Sequence, residues 1–365
     1  MTSIIGHEAI VRELRAFALS LEPAHALLFA GPEGVGRSLL ATTYAQMLNC
    51  ERRPGAAPAG AAKPMPQDFA QFDPAAIPCG GCRPCRLIAE GNHPDVITVG
   101  PGDVLCKPRS SESAHAAHPL SRDIRICQVR GIIDLASRYP FEAAYRMIIV
   151  DPADRLGREA ANTILKTLEE PPGHTIFALI SAAPEAIIET VVSRCRRLDV
   201  RPVARQVIED ALVASGTKAE QAARAAEESR GRPGRALAFA QRPTLMNDHA
   251  RLLERCARIA AGRNAERFAY AEDLAGRFRR DRESTLREFG AWEAFWEARL
   301  RDAANAGESA REECARSLAA LRAVTQAQAD LQAQVLARGA IELMLLSFPR
   351  VMLHVEPSTH GEYDE

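Results

Sequence analysis

The sequence predicts an α/β fold: a parallel sheet covered by helices, then a small helical segment, then an all-helical C-terminal region. Three observations carry that expectation. The apolar run Leu27-Leu28-Phe29-Ala30 leads directly into a glycine loop, "GPEGVGRS" over residues 31–38, and then into a segment of helical period. Short apolar runs alternate with helix-period segments between residues 146 and 200, the pattern of successive βαβ units. Beyond about Val203 the strand patterns stop.

Taken in order, "HEAIVRELRAFALS" places Ile10, Leu14, Phe17 and Ala18 at helical spacing. "HALLFA" is a short buried strand, and "RSLLATTYAQMLNC" is a helix that begins in the glycine loop. Residues 51–78 are rich in Pro, Ala and Gly and keep no period, so a surface loop is expected there. Residues 102–121 read the same way, which makes His115 and His118 loop histidines and not metal ligands. "RMIIV" is a strand ending in Asp151. "REAANTILKTLEEPPG" is a helix stopped by Pro171-Pro172-Gly173, "TIFALIS" is a strand, and "PEAIIETVVSRCRRLDV" carries a helix to a cysteine-arginine cluster. Domain boundaries follow at 1–203, 204–242 and 243–365. In the last segment Trp292, Phe295 and Trp296 stand at i, i+3 and i+4, the spacing of a core or subunit-contact face and not of a base-stacking platform.

Composition bounds the function classes. The net charge is −1, so the chain is no polyelectrolyte built to coat nucleic acid, and a nucleic-acid-binding module is the least favoured class. "MTSIIGHEAIVRELRAF" does not have the form of a signal peptide, and no uncharged apolar run has transmembrane length, so a cytoplasmic protein is expected. Nine cysteines in a chain of this size are not a disulfide framework. Cys79-x-x-Cys82-x-x-Cys85 forms a knuckle with Gly80, Gly81 and Pro84, and Cys50 lies across the first loop. Four thiolates at such spacing suit tetrahedral Zn²⁺, and with no histidine, carboxylate or open position the site reads as structural. The module spans residues 50–85, in a turn-rich segment and not a packed helix.

The glycine loop matches G-x-x-x-x-G-K-[ST] except that Arg37 stands where lysine is required. Gly31, Gly34 and Gly36 let backbone N–H groups converge on an anion at a helix N-terminus, with Ser38 beside them. Only four of the 46 basic residues are lysines, so drift toward arginine accounts for how Arg37 arose. Asp151, at the C-terminal end of its strand, is where a nucleotide-bound Mg²⁺ is held.

"GPEGVGRS", the cysteine knuckle running into "GNHPDV", "LKTLEEPP" and "SRC" occur in that order here, and the chain resembles subunits of the bacterial replicative clamp loader of DNA polymerase III, a branch of the AAA+ ATPases. The resemblance covers about residues 1–240. It implies an AAA+ core with a helical lid and a C-terminal helical collar. It also implies hetero-oligomeric partners (delta and tau/gamma subunits) and, through them, the sliding clamp and primed DNA. Ser181 then falls at sensor 1, Arg235 at sensor 2, and Arg194 at the "SRC" arginine that reaches a neighbour's ATP. Hydrolysing tau/gamma subunits have Asp-Glu at the strand end where this chain has Asp151-Pro152, and Asp154 is expected to face away at the start of the next helix. With Arg37 this makes two lesions in one site, so the resemblance is nearer to the delta-prime type. That expectation is of a subunit with doubtful ATP binding and no turnover, and an active tau/gamma-type ATPase is the alternative.

Overall fold

The computed structural model describes residues 4–351 apart from 21, 55–72, 104, 106–120, 122 and 333–334; His115 and His118 lie outside the described residues. The chain divides into two compact units, residues 1–241 and 242–365.

In the first unit the described residues form five parallel strands, β1 (Ala26–Ala30), β2 (Val96–Val99), β3 (Arg146–Val150), β4 (Thr175–Ser181) and β5 (Arg196–Asp199), in the order β2-β3-β4-β1-β5. The central strands are buried on both faces, which is why they read as unbroken apolar runs. Their side chains alternate between two cores. Leu27, Phe29, Met147, Ile149, Ile176 and Ala178 face a layer with Leu14, Leu40 and Tyr44 from helices α1 (Glu8–Leu19) and α2 (Arg37–Asn49). Leu28, Ile148, Val150, Phe177 and Leu179 face the opposite layer, with Val129 and Ile132 of α4 (Ile126–Ala136) and Ile164 and Leu168 of α5 (Arg158–Glu169).

Two strands and two helices lie outside the expected pattern. β5 exposes three of its four residues and buries only Leu198, so an edge strand escapes a reading based on apolar runs. β2 is likewise mostly half-buried and follows the cysteine knuckle directly. α4 follows the second loop. The knuckle is not free of helix: α3 (Arg83–Ala89) starts at Cys82, tolerates Pro84 in its first turn, where an N–H has no partner to lose, and carries Cys85. After β5 come the short helices α7 (Arg205–Ala214), α8 (Ala219–Ser229) and α9 (Pro233–Gln241).

A buried ion pair fixes the base of the sheet. The Asp95 carboxylate is fully buried and accepts N–H bonds from Phe141, Glu142 and Ala143 at 2.8–3.0 Å. It also binds the Arg146 guanidinium at 2.8 Å, which in turn donates to the carbonyls of Leu135, Arg138 and Tyr139. Burial alone would raise the Asp95 pKa, but these donors outweigh it and hold the carboxyl below its ordinary value.

The second unit is helical throughout its described residues. Its core gathers the fully buried Trp292 and Trp296 with Phe289, Ile341 and Phe348, so the aromatic trio belongs to a core, although Phe295 is only partly buried. Sequence periodicity did not reveal its buried charges. Glu288 accepts from Tyr270 and Arg277, and Arg267 donates to the carbonyls of Ala260, Leu345 and Phe348, tying the chain near its end to the helical core.

Asp95→Asn should cost about 3–5 kcal/mol, since removing one charge of a buried pair strands the other. Urea unfolding gives the loss, and hydrogen exchange should speed up at the amides of residues 141–143. Because the carboxyl is depressed in the folded state, its contribution is complete above about pH 4 and is lost as pH falls below that.

Candidate nucleotide and metal sites

The glycine loop sits at the C-terminal mouth of the sheet, where β1, β4 and β3 end side by side. Gly31 N–H donates to the Ser181 carbonyl at 3.2 Å, and Val200 N–H donates to the Ala30 carbonyl at 2.7 Å, so β1 is held from both sides up to the loop. Gly34 and Gly36 take positive φ of 77° and 110°, a backbone that side chains adopt only under strain. α2 then begins at Arg37 and presents its first N–H groups to the mouth.

The loop is tied down from two further directions. The His7 ring Nε2 lies 2.9 Å from the Val35 carbonyl, and His7 itself has positive φ (64°), packing the N-terminal segment onto the loop. Sequence reasoning missed this residue, because a histidine just ahead of a helix carries no pattern of its own. From the first turn of α9, Gly234 N–H donates to the Gly34 carbonyl at 2.8 Å. Arg235 follows at once, its guanidinium carbon 5.2 Å from the Phe239 ring centroid, a cation–π distance.

Side chains at the mouth are partnered within the chain. Ser38 Oγ donates to Asp151 Oδ2 at 2.7 Å. Asp154 does not face away as expected. It lies in a single 3₁₀ turn, Ala153–Arg155, and its Oδ1 accepts from Ser181 Oγ at 2.6 Å. The Pro152 side chain supplies no carboxylate. Burial pulls the Arg37 guanidinium below its ordinary pKa, opposed by the charges of Asp151, Glu33 and Asp154; one of its terminal nitrogens is buried without a hydrogen-bond partner.

Arg194 is remote from that constellation in the hydrogen-bond network. It follows α6 (Glu189–Val192), is about one-third exposed, and its guanidinium binds Glu169 at the end of α5 and the Thr190 carbonyl. Arg196 and Arg197 pair with Glu13 and Asp199.

The four cysteines come together. The Sγ atoms of Cys50, Cys79, Cys82 and Cys85 all lie within 4.8 Å of one another, with Cys50 and Cys85 buried. Tetrahedral ligation at about 2.3 Å needs sulfurs about 3.8 Å apart, so the cluster fits a metal ion. Backbone N–H groups point at sulfur as such a knuckle requires: Cys79 N–H to Cys50 Sγ at 3.5 Å, and Cys82 N–H to Cys79 Sγ at 3.3 Å. A hydrogen bond from the Cys85 thiol holds Cys50 at about 5 against the opposing effect of burial, and Cys85 is raised in return. Cys50 arrives as the residue that ends α2, so the helix that starts in the glycine loop finishes in the cysteine cluster.

Comparison with known proteins gives concordant similarities. A family model described as DNA polymerase III, delta subunit, matches residues 6–204. DNA polymerase III subunit delta' of Pseudomonas aeruginosa is 32% identical over 172 residues, covering 47% of this chain and 42% of that protein. DNA polymerase III subunit tau of Bacillus subtilis is 29% identical over 205 residues, covering 56% of this chain and 30% of that protein. The chain thus spans less than half the length of either relative. A gamma subunit-related protein of Thermotoga maritima, a solved structure, is 15% identical with a TM-score of 0.38, over 92% of this chain and 97% of that one.

Proposed function

The chain belongs to the DNA polymerase III delta subunit family, and from that premise we propose that it is a delta-prime-type clamp-loader subunit. In this reading it does not turn over ATP, and it lends Arg194 to ATP held by an adjacent tau/gamma-type subunit. The observation that carries the reading is the state of the glycine-loop site. Its glycine backbone takes the turn such a loop needs, but its cation is Arg37 and Asp151 is followed by Pro152. Hydrolysis needs a compact ammonium on the β- and γ-phosphates and a carboxylate free to orient water. A guanidinium fork in a loop shaped around one point charge is not equivalent. The position of Asp154 favours the second reading, an active motor, since it keeps a carboxylate at the mouth.

In this reading residues 204–242 act as a lid over the loop and residues 243–365 as the collar that joins other subunits. Partners are the delta and tau/gamma subunits, and through them the sliding clamp on primed DNA. Arg194 would neutralise charge developing on a phosphoryl group transferred next door. The cysteine cluster would hold one Zn²⁺ structurally. When bound, the ion supplies folding free energy, of order 10 kcal/mol at such sites.

Purified chain should show no measurable ATP hydrolysis, and Arg37→Lys should not restore it, because Pro152 still offers no carboxylate. Robust turnover by the unmodified chain, free of other subunits, would instead support the motor reading. Metal analysis after purification without chelator should find about one zinc per chain, and Cys79→Ser should lose it and loosen residues 50–54 and 73–89 to proteolysis. Metal-free protein with the same protease resistance would reject the structural-zinc assignment.

The trans role is tested by rebuilding the assembly with Arg194→Ala. Arginine fingers contribute roughly 10³–10⁵ in rate at a single site, but only one of several sites would lose its finger, so total turnover should fall far less. Clamp loading should fall more than ATPase. Wild-type rates in both, with assembly verified, would remove the trans-acting mechanism.

A further inference from the structure

The three arginines after α6 are not held alike. Arg196 and Arg197 each meet one acid through a single nitrogen. Arg194 is gripped on two edges: Nε (2.8 Å) and one terminal nitrogen bond to Glu169 Oε1, while the other terminal nitrogen donates to the Thr190 carbonyl at 2.7 Å. A guanidinium has three edges and five N–H groups. The nitrogen that meets Thr190 also has a long contact with Ser193 Oγ at 3.4 Å. The terminal nitrogen that meets Glu169 carries a second N–H, for which the described residues give no further bond, and a guanidinium N–H is a strong donor to a phosphate oxygen.

Glu169 is placed to provide this grip. It is the last residue of α5, and Pro171-Pro172 stop the helix just beyond it. An acid in the last turn of a helix is disfavoured by the helix dipole unless a cation meets it there. Arg194 is that cation. The Thr190 carbonyl belongs to α6, so the two grips come from two separate helices and fix the plane of the fork as well as its location.

Resting on the reading of Arg194 as a trans-acting finger, we infer that Glu169 is its positioning residue, gripping the guanidinium side-on so that it is held ready for the neighbouring subunit's phosphate. Glu169 touches neither nucleotide nor reacting atoms; it acts only through Arg194. A side chain with four rotatable bonds is thereby prepared before the subunits meet, and less freedom is lost when the neighbour's ATP is engaged.

The test is a double-mutant cycle in the rebuilt assembly, reading clamp- and DNA-stimulated ATPase. Glu169→Ala should lower kcat about 2–5-fold at the site Arg194 serves, the range of an exposed ion pair, with little change in KM for ATP. Glu169→Gln keeps an acceptor oxygen and should lie between Glu169→Ala and wild type. In an Arg194→Ala background, Glu169→Ala should cause no further loss. A further loss there would mean Glu169 acts structurally, and a faster rate in Glu169→Ala would mean the pair restrains the arginine; either overturns the inference. Wild-type turnover in Glu169→Ala beside slowed Arg194→Ala overturns it as well, leaving the trans role intact. Wild-type turnover in Arg194→Ala removes the parent reading and this inference with it.

Discussion

At the mouth of the sheet, Gly31 passes so close beneath the next strand's exit that a Cβ there would stand 2.1 Å from the Val200 carbonyl oxygen. No side chain can be accommodated at that distance. The close approach lets β1 lie between β4 and β5 with hydrogen bonds to both as far as its last residue. It also turns the chain sharply enough for α2 to begin six residues after Gly31. Everything at the mouth takes its position from that turn. Ser38 meets Asp151 because α2 starts where it does, and the loop's Gly34 carbonyl accepts from Gly234 at the start of α9. The turn is thus fixed by its backbone, through the glycines and not through side chains.

Electrostatics at the mouth explain how the loop persists around an arginine. Asp151, Asp154 and Glu33 all act on Arg37, and two of the three also bond to hydroxyls of the same chain. Carboxylates crowded at a strand end repel one another unless a cation sits among them. Arg37 supplies that cation from within the chain, although desolvation weakens its preference for charge. One guanidinium among three carboxylates offsets part of their mutual repulsion and leaves the group net negative.

Much of this was legible in the sequence, for physical reasons that also mark where legibility ended. β1, β3 and β4 are buried on both faces, so their apolar runs are continuous, and α1 and α5 carry a clear helical period, while α2, buried nearly all round, was placed by the loop it follows. β5, with Arg196 and Arg197 exposed, offers no such run because an edge strand has water on one side. Cys79, Cys82 and Cys85 were found by spacing, and Cys50, placed with them only as lying across the first loop, joins them in the structure. Asp154 was placed wrongly because one 3₁₀ turn, not an α-helix, follows the strand, and the difference redirects its carboxylate onto Ser181. Asp95 with Arg146, and Glu288 with Tyr270 and Arg277, could not have been anticipated. Each pairing is long in sequence or set by packing, and a buried charge looks like an exposed one until its partner is known.

The shape of the glycine loop has a packing role apart from any nucleotide chemistry. α2 begins in the loop, and of its thirteen residues Leu40, Ala41 and the whole run Thr43–Asn49 are buried. Gln46 donates to the Cys85 carbonyl at 2.7 Å, and Asn49 exchanges hydrogen bonds with the backbone of Tyr145, the residue just before β3. The helix is therefore the wall between the sheet and the cysteine module, joined to both by polar bonds that are costly to break when buried. A substitution that opened the glycine loop would shift the first turn of α2 and with it this whole register. The bonds that hold this register involve neither the Arg37 nor the Pro152 side chain, so packing of α2 keeps the loop's backbone in place independently of the two positions at which the proposed chemistry is missing.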